Sequence, residues 1–306
     1  MFRDFNLSLN NIMDKIKEYI SQKRPTLSAS SLTTYASILK NLFARVFGEG
    51  LVNLDKFDDC SPVLSFLKDM PPNRRKTILS ALVIITDKKS YRDLMLEDVR
   101  DYNKDINKQE KTEDQKESWV DTTQVKEVYE DLKKTADLLY KKKQPTPSDL
   151  QQIQNYIIMS VLGGVFVPPR RSKDYVDFKI KNVDKEKDNY LDKAKMVFNS
   201  YKTAKTYGVQ SLDIPVQLKN ILAKWIKINP TEWLLFDANM SQLSSVKLNQ
   251  RLNKIFGDKK VGVNQLRHTF LTDKYANTIE QKKSVANTMT DMGSSPAMLD
   301  TYVKND

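Results

Sequence analysis

Glycine is scarce in this chain, with eight glycines among 306 residues. Because glycine serves tight turns and weakens helices, its scarcity beside abundant Lys, Leu and Asp favours helices joined by short polar turns. Apolar residues recur at helical spacing from Leu9 to Ile20 and again from Leu32 to Val46. These patterns predict a mainly α-helical fold. Further helices are expected at about 62–70, 72–86, 91–107, 122–142, 150–162, 216–228, 241–256, 264–277, 280–291 and 296–303.

One segment has the character of β-structure. In Lys195–Ile214, two short runs of β-branched and aromatic residues flank a polar turn that contains Gly208. This pattern predicts a β-hairpin, and no other segment of the sequence gives a comparable signal. The expected fold class is therefore mainly α with a small β-hairpin or sheet.

A polar stretch divides the chain. Residues 107–118 (NKQEKTEDQKES) contain no apolar side chain, which is typical of a solvated linker. A chain of this length is long enough for two domains, each with its own core. We expect a helical N-terminal domain at 1–108, a linker at 109–121 and a second domain at 122–306.

The chain is strongly basic. It has 50 Lys and Arg against 39 Asp and Glu, a net charge of +11, and residues 151–306 hold 24 of the basic and 15 of the acidic residues. Such an excess, concentrated in the second domain, favours a polyanionic partner. Nucleic acid is the first expectation, and an anionic membrane surface is the second.

The composition excludes several kinds of site. Cys60 and His268 are the single cysteine and histidine, so an internal disulfide and Cys- or His-rich metal sites are ruled out. The sequence contains no glycine-rich phosphate-binding motif and no apolar stretch that approaches eighteen residues. We therefore expect an intracellular protein that is neither secreted nor membrane-spanning. We also expect no metal, no nucleotide cofactor and no small-molecule substrate.

Four short motifs occur in order in the second half of the chain. They are PPRRSKD at 168–174, YKTAK at 201–205, NQLRHTF at 264–270 and MGSSPAMLDTY at 292–302. Together they resemble the motifs of the tyrosine recombinases, a family of DNA breaking and rejoining enzymes that includes integrases, with type IB topoisomerases as chemical relatives. The resemblance covers about 150–303. Because each motif is short, the order and spacing of the four carry the resemblance.

The first two motifs supply a candidate arginine and a candidate lysine. The resemblance implies that Arg171 is the first arginine of the family's site, in an R-x-x-[E/D] pattern, with Arg170 as the alternative. The family's lysine lies on a β-hairpin, where Lys202 fits best and Lys205 second best.

The last two motifs supply the rest of the implied site. Arg267 is the second arginine, followed directly by His268, and Tyr302 stands where the family has its nucleophile. Two positions depart from the family. Asn264 stands in place of a histidine and Ser294 in place of a histidine or tryptophan, where the usual side chains assist proton transfer or hydrogen-bond the phosphate. From the residues alone, Asn264 also fits a helix N-cap and Ser294 a turn residue.

These residue types suit attack of a tyrosine on a phosphodiester. Guanidiniums from Arg171 and Arg267 can hold the non-bridging oxygens bidentately and remain charged. Lys202 can protonate the departing 5′-oxygen as a general acid. A tyrosine has a free pKa of about 10 and must lose its proton during attack, and His268 is the one ordinary base available. The implied product is a 3′-phosphotyrosine, formed without metal or ATP.

The resemblance also implies a partner and an assembly. A helical core-binding domain and a catalytic domain would form a two-domain clamp on double-stranded DNA, with four protomers in the assembly. Expected DNA contacts are Arg170, Lys205, Lys173, Arg74 and Arg75. The PPRR variant is similar to recombinases of large DNA viruses and virus-associated mobile elements, which act in the cytoplasm or nucleus of a host cell. Two alternatives stay open: topoisomerase-like relaxation of DNA, and non-catalytic DNA binding on a recombinase fold.

Overall fold

The computed structural model describes the backbone of residues 2–50 and 52–302, and the side chains of residues 12–50, 52–299 and 301. The chain divides into two compact units, an N-terminal unit, Met1–Glu110, and a C-terminal unit, Lys111–Asp306. Each unit is described by itself. None of the helices in the described residues is long and apolar enough to cross a membrane.

The N-terminal unit is built from helices. They are α1 Phe2–Lys23, α2 Ala29–Phe47, a 3-10 helix at Leu54–Asp58, α3 Cys60–Leu67, α4 Pro72–Thr86 and α5 Lys89–Lys108. Ser28 caps α2 by accepting a hydrogen bond from the backbone N–H of Ser31. Buried residues from four of these segments, Leu39, Phe57, Leu82 and Tyr91, belong to one apolar core. The Tyr91 hydroxyl donates to the carbonyl of Phe57, which satisfies a polar group inside that core.

The C-terminal unit combines helices with a small sheet. Its helices are α6 Glu113–Ser118, α7 Thr122–Leu139, α8 Pro147–Leu162, α9 Ser172–Val176, α10 Ala204–Tyr207, α11 Val216–Ile228, α12 Ser245–Ile255, α13 Val263–Asp291, a 3-10 helix at Pro296–Met298 and α14 Leu299–Tyr302. Its strands are β1 Phe178–Lys179, β2 Asn189–Asp192, β3 Lys195–Phe198 and β4 Gln210–Asp213. The prediction of a mainly helical fold with a small sheet is confirmed.

The sheet has the strand order β1-β2-β3-β4, with a parallel β1–β2 pair and antiparallel β2–β3 and β3–β4 pairs. The predicted hairpin is confirmed as β3–β4, in which Met196 lies opposite Leu212. Residues 199–209, which we call the hairpin connection, contain α10 in addition to the turn at Gly208. The sequence prediction missed β1 and β2 because they are two and four residues long and lie among charged residues.

Helix α8 carries the core of the C-terminal unit. Ile153, Ile157, Ile158 and Leu162 are fully buried there, and α8 contacts both α7 and α11. A helix buried on nearly all sides must satisfy its polar side chains internally. Gln154 does so by donating to the carbonyl of Phe236 and accepting from the Phe236 N–H.

The segment predicted as a linker contains regular structure. Its residues 113–118 form the short helix α6, which begins with a capping box between Thr112 and Gln115. Val120, near the end of that segment, is buried in the core of the C-terminal unit. The polar composition therefore identified the exposed part of the segment and not its buried end.

Helix α13 differs from the prediction of two helices at 264–277 and 280–291. It runs without a break for 29 residues, from Val263 to Asp291. The residues between the two predicted helices include neither Gly nor Pro, so nothing there stops a helix. The helix ends where Gly293 adopts a φ of 70°.

Candidate active site

The Arg170 side chain is mostly buried and is bound by other residues of the fold. Its Nε donates to Asp174 Oδ2 at 2.8 Å, and its Nη1 donates to Gln210 Oε1 at 2.9 Å. The guanidinium carbon lies 4.0 Å from the ring centre of Phe198 and 5.1 Å from that of Tyr201. Arg170 thus links the start of α9 to both strands of the hairpin and to the connection between them.

Asp174 is the carboxylate at the centre of the arginine cluster. Its side chain is 2% exposed, and its Oδ1 has no hydrogen-bond partner among the described residues. Burial raises the pKa of Asp174, and the positive charges of Arg170, Arg171 and Arg267 act in the opposite direction. Residues from the first and third motifs, nearly a hundred positions apart in the chain, therefore act on one carboxylate.

Arg171 lies at the N-terminal end of α9. Its carbonyl accepts a hydrogen bond from the Asp174 N–H at 3.0 Å, which fixes its backbone. Its side chain is half-buried and makes no hydrogen bond or ion pair with the described part of the chain. The adjacent arginines therefore differ: Arg170 is bound to the fold, and Arg171 has its donors available.

Arg267 lies in the first turns of α13, and its Nη1 donates to Asn264 Oδ1 at 3.4 Å. Asn264 is exposed and inside the helix, so the prediction that it is an N-cap is wrong. The N-cap position is Gly262, and the Oδ1 of Asn249 in α12 accepts from the Val263 N–H at 3.0 Å. Because this contact comes from another helix, the local sequence around Asn264 does not contain it.

His268 and Thr269 follow Arg267 and face in different directions. His268 is exposed to solvent. Thr269 is buried, and its hydroxyl donates to the carbonyl of Val120 at 2.6 Å. The role of His268 as a base stays a prediction, whereas Thr269, which the sequence analysis did not single out, fixes the part of α13 that carries Arg267.

Lys202 and Lys205 both lie on the hairpin connection, with exposed side chains. Tyr201, directly before Lys202, is 8% exposed, and its hydroxyl donates to the carbonyl of Gly208 at 2.7 Å. This bond closes the connection on itself next to Arg170. Lys202 is therefore attached to an anchored residue and projects from a segment that borders the arginine cluster.

Ser294 is not brought to the arginine cluster of the same chain. Helix α13 separates Arg267 from Asp291 by about 36 Å at 1.5 Å per residue. The Ser294 N–H donates to the carbonyl of Met289, which agrees with a turn at the end of α13. Tyr302 is the last residue of α14, and its side chain lies outside the described residues. The sequence motifs therefore occur in the family's order, while α13 keeps the last of them apart.

The remaining candidate DNA contacts lie in different surroundings. Lys173 is exposed and pairs with Asp177 at 3.7 Å, and Arg74 is exposed on α4. The DNA contact of Arg75 stays a prediction; in the fold, Arg75 donates to Asp98 through Nε and Nη2 and to the carbonyl of Lys68 through Nη1. Asp98 is fully buried, so Arg75 is a structural partner for a carboxylate inside the helical unit.

The described residues contain no group of three or more His, Cys, Asp or Glu side chains that could hold a metal ion. The candidate site is instead a cationic cluster. Two guanidiniums with a lysine-bearing segment at their border have the chemistry to bind an anion.

Comparisons with known proteins give structural likeness only. No protein-family model matches the chain, and no curated protein matches it. One similar solved structure is the XerH site-specific recombinase bound to difH in a pre-cleavage complex, with a TM-score of 0.39 and 14% identity over 87% of this chain and 86% of that chain. Another is XerH bound to palindromic difH in a post-cleavage complex, with a TM-score of 0.40 and 16% identity over 87% and 85% of the two chains. At these scores the functional assignment depends on the chain's own residues.

Proposed function

We propose that this protein is a site-specific DNA recombinase or integrase that cuts and rejoins DNA through a 3′-phosphotyrosine intermediate. The observation that carries the proposal is that the positive charges of Arg171 and Arg267, from two separate motifs, both act on the buried carboxylate of Asp174, which Arg170 holds by a hydrogen bond. Two separate motifs thereby contribute guanidiniums to one place. On a chain of net charge +11, the anion they would bind is a DNA phosphate.

In the proposed reaction, Arg171 and Arg267 bind the two non-bridging oxygens of the scissile phosphate. Negative charge builds on these oxygens during attack, so the pair stabilises the transition state more than the ground state. Asn264, beside Arg267, would add a hydrogen bond to the phosphate. Ser294 would do so only at the arginine pair of a second protomer, because it lies beyond the far end of α13.

The covalent step exchanges one oxygen for another at phosphorus. The bond from the Tyr302 oxygen to phosphorus forms, and the bond from phosphorus to the deoxyribose 5′-oxygen breaks. His268 takes the tyrosine proton, and Lys202 gives a proton to the 5′-oxygen. Attack by a 5′-hydroxyl on the phosphotyrosine reverses the step and rejoins DNA. The energy of the phosphodiester is retained, so the proposed reaction needs no ATP, and the arginines would supply the charge stabilisation that a metal ion gives in other phosphoryl transfers.

We propose that Tyr302 of one protomer attacks the phosphate held by the arginine pair of a second protomer. The length of the unbroken helix α13 supports this arrangement. Helix α13 carries an apolar stripe beyond Arg267, because Leu271, Tyr275, Ile279 and Val285 fall on one side at 100° per residue. Leu271 is 50% and Tyr275 43% exposed, so contact with a second protomer would cover them. Exchange of this kind fits the homotetramer on double-stranded DNA that the resemblance implies.

A non-catalytic DNA-binding role is the second candidate function. Asn264 and Ser294 replace the family's usual side chains, and the length of α13 separates Arg267 from the start of the fourth motif, so a second copy would have to supply the nucleophile. Binding at Arg171 and Arg267 would then be retained without cleavage. Topoisomerase-like relaxation uses the same bond exchange and differs in having no defined target sequence.

The deciding experiment searches for the covalent intermediate. The purified protein is incubated with genomic DNA of its source, quenched with denaturing detergent and digested, and peptides that carry a nucleotide are identified by mass spectrometry. We expect a phosphotyrosyl peptide at Tyr302 that is absent from the Tyr302→Phe variant, with the attached DNA revealing the target sequence. DNA binding without any adduct would favour the non-catalytic role, and adducts at unrelated sequences would favour the topoisomerase.

A further inference from the structure

Resting on the proposed function, we infer that Arg170 is a positioning residue, which holds the Lys202-bearing hairpin connection at the arginine cluster and does not bind the phosphate itself. Four residues from separate segments contact its guanidinium: Asp174 in α9, Phe198 at the end of β3, Tyr201 in the connection and Gln210 at the start of β4. The Arg170 side chain is 20% exposed.

Its contacts leave Arg170 poorly placed to bind an external phosphate. Bidentate phosphate binding uses two parallel N–H groups on one edge of the guanidinium. In Arg170, Nε is committed to Asp174, Nη1 to Gln210, and one face lies over the Phe198 ring at 4.0 Å. In Arg171, the same five donors make no hydrogen bond to described residues. The adjacent side chains are chemically identical, but Arg170 is bound within the fold and Arg171 has its donors available for a phosphate.

The two ends of the hairpin connection meet at Arg170. Phe198 precedes the connection and Gln210 follows it, so both contacts fix where the segment leaves and re-enters the sheet. Within the segment, Tyr201 approaches Arg170 and ties to Gly208. Lys202 is the next residue, so its distance from a phosphate at Arg171 is set through Arg170.

This role requires the shape of arginine and not only its charge. A lysine ammonium cannot donate in two directions from a planar group and stack on an aromatic ring at the same time. We therefore expect Arg170→Lys to keep the fold and the charge and to misplace Lys202. The step that suffers is protonation of the departing 5′-oxygen, while phosphate binding is retained.

The test replaces the oxygen that needs this proton. A duplex of the target sequence recovered from the adduct is made in two forms, with the normal 5′-bridging oxygen and with sulfur at that position. A thiol has a pKa of about 8.5, so a thiolate leaves without being protonated. Single-turnover cleavage of both duplexes and the dissociation constant are measured for each variant.

We expect Arg170→Lys to cleave the oxygen duplex about 10- to 100-fold more slowly than the wild type, a smaller loss than the roughly 10²- to 10⁴-fold of general acid catalysis, because Lys202 is misplaced and not removed. On the sulfur duplex it should come within about threefold of the wild type, with an unchanged dissociation constant. Lys202→Ala should show the same rescue. Arg171→Ala should be slow on both duplexes, because the phosphate clamp itself is damaged.

The inference is overturned if Arg170→Lys is equally slow on both duplexes, as a phosphate ligand would be, or is unimpaired on the oxygen duplex. Gln210→Ala is the second variant, because it removes one contact at a half-buried position and leaves Arg170 paired with Asp174. It should repeat the rescue if Arg170→Lys fails to fold. A wild-type protein that cleaves neither duplex would instead overturn the proposed function, and this inference with it.

Discussion

Thr269 Oγ1 donates a 2.6 Å hydrogen bond to the backbone carbonyl of Val120, in the segment that leads into α7. Both groups are buried, and Thr269 follows Arg267 by two positions on α13. The bond therefore fixes the end of α13 that carries a phosphate-binding candidate. Its partner lies 149 residues earlier, so its removal should affect stability and the arginine cluster together.

We expect Thr269→Val to lower the free energy of unfolding by about 1–3 kcal/mol, because it leaves the Val120 carbonyl buried without a donor. Urea denaturation measures the loss. Thr272→Val is the matched control, since Thr272 is exposed on the same helix and should stay within about 0.5 kcal/mol of the wild type. Equal stability of the two variants would show that the Val120 bond contributes nothing.

Substitution of Arg75 should lower stability, whereas substitution of Arg74 should lower DNA affinity. Arg75→Gln leaves Asp98 buried without its charge partner and should destabilise the protein by about 3 kcal/mol. Arg74→Gln should leave stability unchanged and weaken DNA binding, with a reduction of about 1 in the slope of log affinity against log salt. Denaturation and DNA titrations at several salt concentrations measure both variants. Unchanged affinity and slope for Arg74→Gln would remove that residue from the DNA interface.

The free energy of unfolding should depend on pH through Asp149. Hydrogen bonds from Lys142 and Thr146 lower the pKa of Asp149 to about 2. The unfolded state therefore binds the proton first, so this contribution is present above about pH 4 and is lost as the pH falls towards 2.

The check compares Asp149→Asn with the wild type by urea denaturation between pH 6 and pH 2. The variant should be less stable at pH 6, and the difference should shrink as the pH falls. Asp131→Asn is the control, because Asp131 forms an exposed ion pair with Lys134 and should track the wild type. A constant difference across the whole pH range would contradict the prediction.

Exchange of the tyrosine between protomers should appear in a mixture of two inactive variants. Arg267→Ala retains Tyr302, and Tyr302→Phe retains the arginine pair, so neither forms an adduct alone. Because α13 carries Tyr302 away from Arg267 of its own chain, we expect the mixture to form the phosphotyrosyl adduct, on the Arg267→Ala chain. An inactive mixture beside an active wild type would show that each chain uses its own tyrosine.

The sequence predicted those helices whose limits are encoded locally. Helix α4 begins after Pro71 and α11 after Pro215, and both occupy the predicted residues, because proline stops the preceding segment and fits the first helical turn. The hairpin β3–β4 was also predictable from its alternating residues. Strand β1, with two residues, is defined by its neighbours in the sheet and has no local signal.

The parts of the site that depend on long-range contacts could not be predicted. Arg170 and Arg171 are identical and adjacent in the sequence, and only the positions of Asp174 and Gln210 distinguish them. The sequence is equally ambiguous about Arg75, which in the fold donates to the carboxylate of Asp98. An arginine in a sequence indicates affinity for an anion. Packing decides whether that anion is a carboxylate of the fold or a phosphate of a partner.

The length of α13 has a mechanical consequence. Its N-terminal turns are fixed in the C-terminal unit by Leu266 and Thr269, and its distal residues are mostly exposed. Over about 36 Å, a tilt of about 5° at Arg267 displaces Asp291 by about 3 Å. A small change in the direction of the helix axis at these turns would therefore move the far end of α13 by about the length of a hydrogen bond.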